Sequence, residues 1–166
     1  MRLLIARHAA AAPRGTEGLA DAERPLTERG EKRFRLAARG LARVIPAPAL
    51  ILSSPLVRAR QTADIAAAAW GQAPVTLTEA LAGGPLSTLL GRLATDAGRA
   101  TVALFGHEPQ LSELLAHLIG CEPPDAVAFK KGGAALVDVA DPAARGSARL
   151  ICLLPPRVLR RLGDIT

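Results

Sequence analysis

A chain of 166 residues has room for one domain, 1–166, and crowds a second. Nearly half of it is hydrophobic, yet with three Phe, one Trp and no Tyr the core must be built from Ala, Leu, Val and Ile. The net charge of +6 suits an acidic partner such as a phosphate ester, but no basic stretch is interleaved with aromatics, which argues against base stacking on nucleic acid.

Leu3-Leu4-Ile5-Ala6, set between Arg2 and Arg7, reads as a buried strand. A polar loop follows from Ala9 to Leu26. Thr27 caps a helix whose first turn holds Glu28 and Glu31, and which runs to about Val44. Phe34, Ala37 or Ala38, Leu41 and Val44 share its apolar face, and Pro46 and Pro48 end it. The cations along it, Arg29, Lys32, Arg33, Arg35, Arg39 and Arg43, read as a solvated face. Leu50-Ile51-Leu52-Ser53 is a second buried strand. Ser54-Pro55 then supplies a cap and a first-turn proline for a helix that reaches Trp70 and stops at Gly71. Val75 to Thr78 is a third strand. Gly83-Gly84-Pro85 turns the chain into a helix over 86–97.

Thr101 to Phe105 is the fourth strand, and Gly106-His107 leads into a helix over 109–118 closed by Gly120. Gly132-Gly133 precedes a fifth strand over 134–139. A sixth over 148–154 is its hairpin neighbour, because no helix separates them. Alternating strands and helices predict an α/β domain with a mainly parallel sheet and helices on both faces. Ligands of such sheets bind beyond the carboxyl ends of the strands. Three predicted strands end in Arg7-His8, in Ser53-Ser54-Pro55 and in Gly106-His107, so the reactive residues collect at one edge.

Cys121 and Cys152 form no CxxC, and His and Cys are too sparse for a zinc site. They are expected to be buried free thiols in a reducing cytoplasm. Arg7 and His8 follow Met1 too closely for a signal peptide, and no apolar run nears the ~18–20 residues of a membrane span. A cytoplasmic protein is expected.

The chemistry starts with Arg7-His8. A neutral imidazole is a good nucleophile toward phosphorus near neutral pH. Charge then spreads over three equatorial oxygens, which a planar, permanently charged guanidinium stabilises. In Ser54-Pro55-Leu56-Val57-Arg58-Ala59-Arg60-Gln61-Thr62, Arg58 lies in a helix's first turn, where anions are already favoured. Arg60 faces elsewhere, and Thr62 lies one turn beyond Arg58, to support it or to pack. His107 supplies a second imidazole, able to donate a hydrogen bond to a transferring oxygen. His117 reads as structural, near a helix end, and Lys130-Lys131 as a solvated turn.

The ordered set Arg7-His8-Ala9, Arg24-Pro25-Leu26-Thr27-Glu28-Arg29-Gly30, Ser53-Ser54-Pro55 through Thr62, and Gly106-His107 resembles the histidine phosphatase superfamily, the phosphoglycerate mutase-like fold. The likeness covers almost the whole chain. The short length and Phe129-Lys130-Lys131-Gly132-Gly133-Ala134 resemble the SixA-type phosphohistidine phosphatases. The resemblance implies a three-layer α/β/α sandwich without the inserted helical subdomain of larger relatives. It implies a phosphate carried on His8, with Arg7, Arg58 and His107, and also Arg24, around it, and it implies neither metal nor cofactor. Asp21, Glu79 and Glu108 are the candidate proton donors, with Asp21 ranked first. Ala9 replaces the family's usual glycine, so the loop after His8 is expected to differ. The expected partner is a phosphorylated histidine on a phosphotransfer protein, or a small phosphate ester. No nucleic acid and no membrane is expected, and the chain is expected to be a monomer. A non-catalytic anion-binding or nucleic-acid-binding module is the reading from another class.

Overall fold

The computed structural model describes residues 1–165. Its elements in chain order are β1 (Arg2–Arg7), α1 (Glu28–Val44), β2 (Leu50–Ser53), α2 (Val57–Ala69), β3 (Val75–Leu77), α3 (Leu86–Ala94), β4 (Thr101–Gly106), α4 (Gln110–Ile119), β5 (Ala134–Val139), β6 (Ala148–Leu154) and α5 (Pro156–Asp164). They build one six-stranded sheet in the order β3-β2-β4-β1-β5-β6. The first four strands in that order are parallel, while β5 runs antiparallel to both of its neighbours, β1 and β6. The central strands are buried on both faces, which explains their unbroken apolar runs.

Strand alternation divides the core in two. Leu4 and Ala6 of β1 join the layer formed with α1, α2 and α5, through Phe34, Leu41, Ala63 and Leu159. Leu3 and Ile5 join the opposite layer with α3 and α4, through Leu89, Leu93, Leu111 and Leu115. The result is the three-layer α/β/α sandwich of the sequence reading. No helix among the described residues is long and apolar enough to cross a membrane.

Five expectations need correction. Val44 is exposed rather than on the core face, because α1 meets α5 and α2 along Phe34, Ala37, Ala38 and Leu41 and its last turn extends past them. The Ser54-Pro55 helix start lies two residues later, with Leu56 in the capping position. Ser54 is drawn off to His107 instead, and its Oγ accepts from the Leu56 N–H at 3.3 Å. Helix α3 ends at Ala94, where Asp96 turns inward and pairs with Arg92 and Arg99. Cys121 and Cys152 are free thiols but only half-buried. Finally, α5 adds a helix for which the sequence reading has no counterpart. It is held against α1 at a crossing where Gly40 and Gly163 let the backbones touch: a Cβ on Gly40 would fall on the Leu159 carbonyl, and one on Gly163 on the Leu36 carbonyl.

Candidate active site

The carboxyl ends of β1, β2 and β4 lie side by side, and the register places Arg7 opposite Gly106. The chain leaving each strand stays locked to its neighbour. The His8 N–H donates to the Gly106 carbonyl at 3.1 Å, and the Ser54 N–H donates to the Phe105 carbonyl at 2.9 Å. Two imidazoles from distant parts of the chain thereby meet, with ring centroids 5.0 Å apart. They border a cleft of about 320 Å³ lined by Arg7, His8, Arg14, Arg24, Arg58, His107, Glu108 and Lys131, together with Ala12 and Pro13.

His8 is 6% exposed, and its Nδ1 lies 2.7 Å from the Ala9 carbonyl oxygen. A carbonyl only accepts, so Nδ1 carries the proton and Nε2 keeps the free lone pair. Ala9 is not among the residues with positive φ, so alanine in place of glycine costs this loop no backbone strain. The Ala9 N–H donates to Thr62 Oγ1 at 3.1 Å, and that hydroxyl donates to the Arg58 carbonyl at 2.6 Å. Thr62 therefore joins the His8 loop to the turn carrying Arg58. His107 Nε2 and Ser54 Oγ share a hydrogen bond of 2.9 Å.

Arg7 Nη1 donates to the Phe129 carbonyl at 2.6 Å. The Phe129 N–H donates to Glu108 Oε1 at 2.6 Å, and the other Glu108 oxygen accepts from Ser112. Glu108, a candidate acid, is thus occupied in fastening the segment that aims Arg7. Glu79 is exposed, sits in a short turn over Glu79–Leu81 and does not line the cleft. Asp21 stands between Arg24, Arg58 and Arg14, at 2.9, 3.2 and 3.4 Å. Its slight burial pushes its carboxyl up, but the charges of Arg58, Arg24 and Arg14 outweigh this and hold it below the usual carboxylate range. Arg58 pairs with the Asp21 carboxylate and also donates to the Asp21 carbonyl at 2.6 Å.

The motif residues 24–30 shape the cleft wall. Arg24 is buried and donates through Nη1 to the Ala12 carbonyl at 2.6 Å, besides its pair with Asp21. Thr27 caps α1 as expected, accepting from the Gly30 N–H at 3.0 Å. Gly30 sits where a Cβ would fall on the Ala10 carbonyl. Only glycine lets α1 start this close to the loop that follows His8.

The electrostatics suit a bound oxyanion. Burial, and then the like charges of His107, Arg58 and Arg7, overcome the Ala9 carbonyl's pull and push His8 down to about 3. Burial and the guanidiniums of Arg58, Arg7 and Arg24 push His107 down to about 4 against the pull of Asp21. Both rings are neutral at physiological pH. Arg7 Nε, Arg58 Nε and His107 Nδ1 are buried without a hydrogen-bond partner among the described residues. Guanidinium N–H groups so placed favour a ligand rich in acceptors. Among the described residues no three His, Cys, Asp or Glu side chains converge as a metal site.

Arg7, His8, Arg24, Arg58 and His107, named from the sequence, therefore come together, with Asp21 on their border. Arg14, in an aperiodic loop, carries no sequence signal beyond its charge. Lys131 is exposed, as the solvated-turn reading predicts, and also lines the cleft. Ser54 carries a signal in the Ser-Ser-Pro motif, but the signal is that of a cap and not of the partner of His107.

The sequence model of the histidine phosphatase superfamily (branch 1) matches residues 3–83. An uncharacterized protein from Picosynechococcus sp. is 40% identical over 116 residues, 68% of this chain and 70% of its own length. The structure of the protein histidine phosphatase SixA complexed with tungstate superposes with a TM-score of 0.82 at 26% identity, over 96% of this chain and 99% of that one. A protein from Agrobacterium tumefaciens, described provisionally as phosphohistidine phosphatase SixA, gives a TM-score of 0.81 at 29% identity, over 93% and 97%. With its motif residues gathered in one cationic cleft at the ends of β1, β2 and β4, the chain belongs to the histidine phosphatase superfamily and is SixA-like.

Proposed function

We propose that this protein is a phosphohistidine phosphatase, hydrolysing phosphate from a histidine of a phosphotransfer protein through a covalent phosphohistidine on His8. The observation that carries the reading is the His8 ring: neutral, with Nδ1 tied to the Ala9 carbonyl, and so with its Nε2 lone pair free in a cleft walled by guanidiniums. That is the state a nucleophile toward phosphorus requires. The similarity to a SixA structure that holds tungstate, itself an oxyanion, supports an anion in the same place.

His8 Nε2 attacks phosphorus as the bond from phosphorus to the substrate nitrogen breaks. The bonding pair goes to the departing imidazole nitrogen, which takes a proton. Arg7, Arg58 and His107 hold the equatorial oxygens as charge develops on them. Water then attacks the phosphohistidine, orthophosphate leaves, and the lone pair returns to Nε2. Nucleophile and charge stabilisation both come from side chains, so we propose that the reaction needs no metal.

Asp21 is an anion while Arg58 and Arg24 grip it, and an anion donates no proton. A phosphoryl group that takes Arg58 from Asp21 raises the carboxyl's proton affinity at the moment a leaving group needs an acid. Asp21 therefore acts as the acid only with substrate in place. Imidazole needs such help less than an alkoxide does.

A trapping experiment tests the reading. The protein is mixed with a phosphotransfer domain phosphorylated by phosphoramidate, or with an aryl phosphate, and quenched in alkali. Mass spectrometry should locate phosphate on His8, with faster turnover of the protein donor. His8→Ala should neither label nor turn over. Phosphate release that survives His8→Ala would overturn the mechanism, and faster turnover of the aryl ester would point to a small-molecule phosphomonoesterase.

A further inference from the structure

A second groove, of about 450 Å³, runs beside the active-site cleft between the start of α1 and the start of α5. The two are joined at the rim, since Lys131 lines both and Ala9 in the groove directly follows His8. Its floor is apolar, formed by Ala9, Phe34, Ala37 and Pro156. Its rim carries Arg29, Arg33, Lys131 and Arg160, and no acidic residue lines it.

These four cations form no ion pair among the described residues. The acids of α1 are already committed: Glu28 pairs with Lys32 at 2.6 Å, and Glu31 with Arg35 at 2.6 Å. Burial, and then the like charges of Arg33 and Arg157, lower the proton affinity of the Arg160 guanidinium. Cations crowded together without counter-charges are stabilised by whatever acidic surface lies over them. A free phosphate would leave the apolar floor uncovered. A segment with both carboxylates and apolar side chains covers floor and rim together.

We propose that this groove is the docking surface for the phosphorylated partner protein, receiving an acidic, amphipathic segment of it beside the phosphohistidine that enters the cleft. The proposal rests on the phosphohistidine phosphatase reading. Affinity for the protein substrate then resides in α1 and α5, and the chemistry in the strand ends. A small ester uses only the second.

The test is the double variant R33E/R160E, whose residues lie outside the cleft. Steady-state rates are measured on a phosphotransfer domain phosphorylated by phosphoramidate and on p-nitrophenyl phosphate. Binding of the unphosphorylated domain is followed by calorimetry. For the domain, kcat/KM should fall by roughly tenfold or more through KM, with calorimetric affinity falling in parallel. The aryl phosphate rate should not change, which also shows that the variant folds. Added salt should raise KM for the domain in the wild type and have little effect in the variant. Equal loss on both substrates, or loss on neither, overturns the groove while leaving the phosphatase reading intact. A variant that keeps domain turnover but loses binding of a single-stranded RNA oligonucleotide, titrated in parallel by calorimetry, also overturns it. A wild type that turns over the aryl ester but never the phosphodomain overturns the underlying reading itself.

Discussion

The Thr62 hydroxyl accepts from the Ala9 N–H at 3.1 Å and donates to the Arg58 carbonyl at 2.6 Å, so one buried side chain sets the spacing between the His8 loop and the Arg58 turn. Thr62→Val keeps the shape and loses both bonds. A buried backbone N–H left unpaired costs about 1–3 kcal/mol. Urea unfolding should show that loss. Because the loop carrying His8 is then free to shift, kcat should fall by roughly tenfold with KM little changed. Thr62→Ser should restore both. A Thr62→Val enzyme with wild-type kcat would show that His8 is positioned by other contacts.

Asp21 competes with any anion for Arg58 and Arg24. Asp21→Asn removes the competing charge and keeps the size. Inorganic phosphate should then inhibit more tightly, by roughly three- to tenfold. If Asp21 also protonates the leaving group, kcat on an alkyl phosphate should drop about 10²-fold, and less on phosphohistidine. Tighter inhibition without the drop would leave Asp21 as a gatekeeper of the arginines and not an acid.

The neutral histidines make stability depend on pH. In the unfolded chain His8 and His107 titrate near 6.5; in the fold they are pushed down to about 3 and about 4. Above the unfolded value neither state binds the protons, and the effect is absent. As pH falls below it, only the unfolded chain is protonated, so stability declines by about 1.4 kcal/mol per pH unit for each ring until the folded values are reached. Denaturation at about pH 7, 6 and 5 should show this slope, flattened in the double variant H8N/H107N. Equal slopes in the two proteins would mean that the rings are protonated in the fold.

Much of the site could be read from residue order because each piece sits at a strand end. Arg7-His8, Ser53-Ser54 and Gly106-His107 each follow an apolar run, and parallel pairing brings such ends together without further information. What escaped was set by contacts across the chain. Arg14 lies in an aperiodic loop, and only its pairing with Asp21, itself held by Arg24 and Arg58, gives it a place. Ser54 has the look of a cap until His107 claims its hydroxyl. Helix α5 starts on Pro156, directly after Pro155, and what fixes its place is Gly163 meeting Gly40 far away in the chain.

The α1–α5 crossing tolerates no side chain at Gly163. Gly163 packs with its Cα against the Leu36 carbonyl and the Gly40 N–H, where a Cβ has no room. Gly163→Ala must move α5 outward and strip cover from Leu159, which is fully buried. Overpacking of this kind costs about 1–3 kcal/mol. The helix-propensity gain of alanine over glycine, about 1 kcal/mol, offsets part of it. A net loss in urea unfolding would show that contact outweighs propensity here, and a net gain would show that α5 can shift freely. The shift also has a functional readout, because Pro156 and Arg160 of α5 line the basic groove while no part of α5 lines the cleft. Turnover of the phosphorylated domain should therefore suffer more than turnover of an aryl phosphate, as loss of the groove alone requires.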